Sequence, residues 1–97
     1  MALKIDPEDT GKLQADVARR LIRTRSALGF DQRTFGEQAG LSQPQYNQYE
    51  QKRLLTLRAA LLLCERYNLT LDWIYRGDPS GLPYRMVEAI NKVRTAA

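Results

Sequence analysis

The sequence of 97 residues has no histidine and a single cysteine, Cys64. A disulfide within the chain is therefore impossible, and a zinc cluster of His and Cys lacks its ligands. No metal and no cofactor are expected. The usual nucleophile–base pairs of covalent catalysis have no candidates either, since no histidine is there to serve the one thiol as a base. A Gly-rich phosphate loop is also missing, so an enzyme is not the expected reading. No apolar stretch is long enough to span a bilayer. The opening MALKIDPEDTGK has no basic segment followed by an apolar run, so it does not read as a signal peptide. No membrane partner is expected, and the lone thiol suits a reducing cytoplasm. Strand signals, repeats and low-complexity tracts are likewise absent.

Positive charge is present, and it is placed unevenly. The net charge is +4. Residues 1–16 carry two basic and four acidic side chains, whereas residues 19–58 carry eight basic and three acidic. The middle of the chain is thus the basic part, which fits a polyanionic partner.

The apolar pattern is helical throughout, so the fold class is all-α. Leu13, Val17, Leu21 and Leu28 form a stripe over about Thr10–Leu28, and Gly29 ends it. Residues 1–12 read as an N-terminal arm without fixed structure, 13–77 as the main domain, and 78–97 as a turn plus a last helix. Asp31 caps a second helix over Gln32–Ala39, and Ser42 with Gln45 makes a capping box for a third, ending near Gln51. Thr56 caps a fourth, with Leu57, Ala60, Leu61 and Cys64 expected inward. Thr70–Tyr75 forms a short fifth. Pro83 opens a final helix with Met86, Val87, Ile90 and Val93 in one stripe. The last few residues are expected to lack order.

Helices two and three are joined only by Gly40, Leu41 and Ser42, which forces a sharp, close crossing. Gly36 is small enough to sit at that contact, and Gly40 suits a turn at positive φ. On a helical wheel Tyr46 and Tyr49 face one way; Gln43, Pro44, Asn47, Gln48 and Gln51 face the other. That outer face carries amides and no charge, although exposed helices usually carry Lys and Glu. Amides read adenine edges, and Pro44 suits a thymine methyl.

These residues carry a resemblance. QRTFGEQAGLSQPQYNQYE (Gln32–Glu50) and LTLDWIYRG (Leu69–Gly77) resemble the Cro/C1-type helix-turn-helix family. The resemblance covers residues 19–77 and implies a lambda-repressor-like five-helix DNA-binding domain, here with an additional C-terminal helix. It implies base reading by Gln43, Pro44, Asn47 and Gln48, and phosphate contact by Gln32. It also implies an ion pair between Arg25 and Glu50. Glu50 stands near a helix C-terminus, where an opposite charge relieves it. Lys52 and Arg53 lie just past the recognition helix and are expected on phosphates; Arg19 and Arg23 are further phosphate candidates. The loop Gln51–Thr56 departs from the family by lacking its usual glycine and proline. The common alanine at position 36 is glycine here, which reads as a conservative change.

The function implied is a DNA-binding transcriptional regulator, by default a repressor, acting as a homodimer on a palindromic operator in double-stranded DNA. Met86, Val87, Ile90 and Val93 are the expected dimer interface, with residues around Trp73 and Tyr75; packing of that stripe onto the chain's own core is the alternative. Two other uses of the fold stay open: a protein-interaction module, such as an antitoxin or anti-activator, and an excisionase-like architectural DNA binder.

Overall fold

The computed structural model describes residues 7–93. In order these form α1 (Pro7–Ala27), α2 (Gln32–Gln38), α3 (Gln43–Gln51), α4 (Leu57–Tyr67), a π-helical segment (Asp72–Arg76) and α5 (Tyr84–Lys92). Residues 1–6 and 94–97, including the expected loose tail, lie outside the described residues. The rest of the expected N-terminal arm is helical, because α1 starts at Pro7 and runs through Gly11.

Side-chain caps start the three central helices. Asp31 Oδ1 accepts the Thr34 N–H at 2.7 Å, Ser42 Oγ the Gln45 N–H at 3.3 Å, and Thr56 Oγ1 the Ala59 N–H at 3.2 Å. Each bond satisfies a donor that a first helical turn leaves without a partner. The hydrogen bonds from Thr34 hold the Asp31 carboxyl below the usual carboxylate range.

The core gathers α1, α2, α3 and α4 around aromatic rings. Phe35 stacks on Tyr67 with centroids 4.3 Å apart and meets Tyr46 edge-on at 5.4 Å. The Tyr67 hydroxyl donates to the Phe35 carbonyl at 2.6 Å, so even the polar end of that ring is tied down. Val17, Leu21, Leu41, Leu63 and Ile74 fill the space around them.

Helix α4 turns Ala60 inward as expected, but not Leu57 and Leu61. Ala59, Ala60, Leu63 and Tyr67 are buried, while Leu57 and Leu61 are 59% and 49% exposed. The reason is visible in the pattern. Apolar residues at 57 and 59–63 wrap most of the helix, so periodicity alone does not choose a side. The alanines decide it, because they let α4 approach the core closely.

The segment after α4 is a wide π turn, one residue or two later than the expected helix. Thr70 Oγ1 accepts the Trp73 N–H at 3.0 Å, and the neighbours Trp73 and Ile74 are both buried. The Trp73 indole N–H donates to Thr24 Oγ1 at 3.0 Å, and Arg20 Nη1 donates to the Ile74 carbonyl at 3.0 Å. These two bonds hold the segment on α1.

Helix α5 also packs on α1. Ile90 is 2% exposed, and Met86 and Val87 pack against the same core. Val93, the C-cap of α5, is half-buried. Of the expected dimer stripe of Met86, Val87, Ile90 and Val93, one member is corrected: buried Ile90 faces the chain's own core, as in the alternative the sequence left open, while Met86, Val87 and Val93 keep part of their surface in solvent. Buried Trp73 is withdrawn from that contact on the same ground.

Helices α2 and α3 approach closely at Gly36. A Cβ there would lie 2.8 Å from Tyr46 Cβ and 3.1 Å from its Cγ. Alanine at this position is therefore not the conservative change the sequence suggests. Gly36→Ala gains about 1 kcal/mol of helix propensity. Overpacking a tight core costs about 1–3 kcal/mol, and here the aromatic cluster blocks relaxation. The net expected result is lower stability, read as a reduced urea midpoint at unchanged slope; an unchanged or raised midpoint would show that α2 and α3 can part freely.

Candidate nucleic-acid interface

The corner between α2 and α3 is closed by backbone bonds. The Leu41 N–H returns to the Gly36 carbonyl at 2.9 Å and the Gly40 N–H to Glu37 at 3.0 Å. Gly40 sits at φ +91°, in the region where glycine carries no Cβ penalty. Leu41, 1% exposed, then anchors the turn in the core. Tyr46 and Tyr49 hold the inner face of α3, at 0% and 6% exposure. Burial, with Glu50 nearby, pushes the Tyr46 phenol far above its usual range, so the ring stays neutral.

The outer face is what remains. Gln43, Pro44 and Gln51 are exposed, and Asn47 and Gln48 are half-buried. The four residues considered for base reading, Gln43, Pro44, Asn47 and Gln48, thus share one side of a rigid helix. Gln48 differs from the others in one respect: its Oε1 is buried and has no hydrogen-bond partner. It lines a shallow depression of about 300 Å³ together with Pro44, Gln45, Tyr49 and Arg53.

Behind this face lies a polar cluster. Arg25 Nε donates to Glu50 Oε2 at 2.7 Å and Nη2 to Oε1 at 3.2 Å, a two-pronged pair joining α1 to α3. The Glu50 side chain is only 2% exposed. Its hydrogen bonds push the Arg25 guanidinium up, so that cation is fixed. Gln32 Nε2 also donates to Glu50 Oε1, at 3.1 Å, and to Asn47 Oδ1 at 2.9 Å. Both hydrogens of the Gln32 amide are therefore used inside the protein. In this arrangement the Gln32 side chain braces Asn47 and Glu50. The sequence gives one signal for the bond: Asn47 and Glu50 are three apart, so they share the face that meets the first residue of α2.

The cations fall into two groups. Lys52 and Arg53 are exposed, and neither forms an ion pair among the described residues. Their backbone N–H groups both donate to the Gln48 carbonyl, at 2.9 and 2.8 Å. Lys52 turns the chain at φ −150°, so the loop does not use the glycine that the family has there. The Tyr75 hydroxyl donates to the Leu55 carbonyl at 2.7 Å, and the Tyr49 hydroxyl lies 3.4 Å from Thr56 Oγ1. These bonds fix the end of the short loop. The cations of α1 are already engaged. Arg19 pairs with Asp16, and Arg23 Nη2 donates to the Ile90 carbonyl at 3.2 Å. Arg23 thus caps the C-terminal end of α5. Arg33 pairs with Glu37 on the surface at 3.4 Å.

The buried ion pair makes a sharp prediction. Arg25→Met strands a desolvated carboxylate and should cost about 3–5 kcal/mol, whereas removing both charges with Arg25→Met/Glu50→Leu should cost much less. Urea unfolding of the three proteins checks this; equal losses in the single and double variants would contradict it.

Comparison with known proteins is consistent with this geometry. The helix-turn-helix family model matches residues 20–74, from within α1 to the middle of the π-helical segment. No curated protein and no solved structure matches the chain significantly. No helix among the described residues is long and apolar enough to cross a membrane. With more than half of its length matched, and with a braced two-helix corner at the centre of the match, the chain belongs to the Cro/C1-type helix-turn-helix family of DNA-binding regulators.

Proposed function

We propose that the chain is a sequence-specific transcriptional repressor that reads the major groove with α3, as a homodimer on a palindromic operator. The observation that carries this reading is the uncharged face of Gln43, Pro44, Asn47, Gln48 and Gln51 on the outer side of a corner closed by backbone hydrogen bonds. Base edges are read by such amides, and free cations supply affinity through phosphates. Lys52 and Arg53 are placed for the second task at the end of the reading helix. Arg19 is a weaker phosphate candidate, since Asp16 already offsets its charge.

One recognition helix covers only a few base pairs, which is the argument for a dimer with half-sites about 34–36 Å apart. With Ile90 of α5 facing the core, Leu57 and Leu61 are an apolar pair one turn apart in solvent. The reading assigns the subunit contact to that side of α4. Repression then follows from occupancy of a promoter by a compact protein.

The test is binding to duplexes selected from a random pool, measured against salt. Gln43→Ala and Gln48→Ala should each relax preference at one base position, by about 1–3 kcal/mol. Lys52→Ala and Arg53→Ala should weaken all sequences alike and lower the salt slope by about one unit each. Selection returning no motif, or these four changes leaving binding untouched, would refute the assignment; a motif without two-fold symmetry would refute the dimer alone.

A further inference from the structure

Helix α4 buries Ala59, Ala60, Leu63 and Tyr67, and this fixes the direction of its opposite side. At about 100° per residue, Arg58, Leu61 and Glu65 fall close to the line pointing straight out, with Leu57 and Leu62 beside them. Arg58, Leu57, Leu61 and Glu65 are exposed, and Leu62 is half-buried. An apolar patch thus stands in solvent between a cation and an anion. Neither charge forms an ion pair among the described residues. Within α4 the residues three and four places away are Leu61 and Leu62 for both of them, so neither has an opposite charge alongside. They lie about 10.5 Å apart along the axis, too far to pair with each other. Each also stands at the wrong end for the helix itself. Arg58 is in the first turn of α4 and Glu65 in the last, where the helix dipole disfavours their charges. The two charges therefore do nothing for α4 alone.

We propose that two copies of this chain meet through an antiparallel pair of α4 helices, in which Arg58 of each copy faces Glu65 of the other. The proposal rests on the reading that the subunit contact lies on this side of α4. Turning the helix end over end about a point between Leu61 and Leu62 exchanges positions 58 and 65. The same operation sets Leu61 of one copy against Leu61 of the other, with Leu57 at the edge of the patch. The surface complements itself in this direction only; parallel pairing would put Arg58 against Arg58. A two-fold axis of this kind gives an isologous contact, and a palindromic site needs one. Exposed ion pairs add little strength. The leucines supply the attraction, and the charges set direction and register.

Sedimentation equilibrium of the full chain without DNA, from micromolar to millimolar, tests this. The wild type should show a monomer–dimer equilibrium. Arg58→Glu alone and Glu65→Arg alone should each weaken it by about ten-fold, because two attractions become two repulsions. The combined change Arg58→Glu/Glu65→Arg should restore it, since both pairs re-form with their signs reversed. The combined variant also suits the helix dipole, so its thermal midpoint should equal or exceed that of the wild type, which separates lost association from lost folding. Leu61→Asp should leave a folded monomer. A wild-type monomer at every concentration, a dimer indifferent to these changes, or single reversals that the combined variant does not rescue would each overturn the proposal. Its failure is distinct from that of the functional reading. A selected motif with two-fold symmetry, bound by a dimer that ignores the α4 changes, moves the contact elsewhere and keeps the DNA-reading homodimer. A monomer that selects a motif without symmetry removes the homodimer as well.

Discussion

The Glu50 carboxylate is the point on which three helices agree. Arg25 reaches it from α1, Gln32 from the start of α2, and Glu50 itself stands on α3. Buried with 2% of its side chain exposed, it is costly unless each partner is in place. That cost makes the arrangement specific. It fixes the distance between α1 and α3 and the side of α2 that faces them. Through Gln32 it also fixes one side chain on the outer surface. Stability of the corner and orientation of the face are therefore the same set of hydrogen bonds.

A second constraint acts from the apolar side. Tyr46 is a large residue at a close helix crossing, and it fits because Gly36 has no side chain to meet it. The Phe35–Tyr46–Tyr67 cluster then holds both helices from beneath. The rest of the chain buttresses this unit. Trp73 and Arg20 fasten the π-helical segment to α1, and Arg23 fastens α5 there too. Rigidity of this kind suits a reading surface, since ordering entropy is then not charged against each base contact.

Much of this was legible in the residues, and the parts that were not share a cause. The caps at Asp31, Ser42 and Thr56 and the turn at Gly40 are local chemistry, so sequence spacing reveals them. The outward amide face follows from the positions of Tyr46 and Tyr49 on the wheel. What spacing does not reveal is which partner a side chain meets. Leu57 and Leu61 look like core until Ala59 and Ala60 set the approach of α4. The α5 stripe is plain in the sequence, yet that its Ile90 faces this chain's own core is decided by α1. Arg23 and Gln32 look like free polar groups, and each is held by a residue far along the chain: Ile90 for Arg23, Asn47 and Glu50 for Gln32. Gly36 looks interchangeable with alanine until Tyr46 is placed over it.

The central claim is that the α3 amide face meets bases. The most direct measurement is titration of isotope-labelled protein with its selected duplex, following the side-chain amide resonances. The account predicts that Gln43, Asn47 and Gln48 move first and furthest, with Gln38 on α2 and Asn91 on α5 nearly still. Large shifts confined to Gln38 or Asn91, with the α3 amides unmoved, would contradict it.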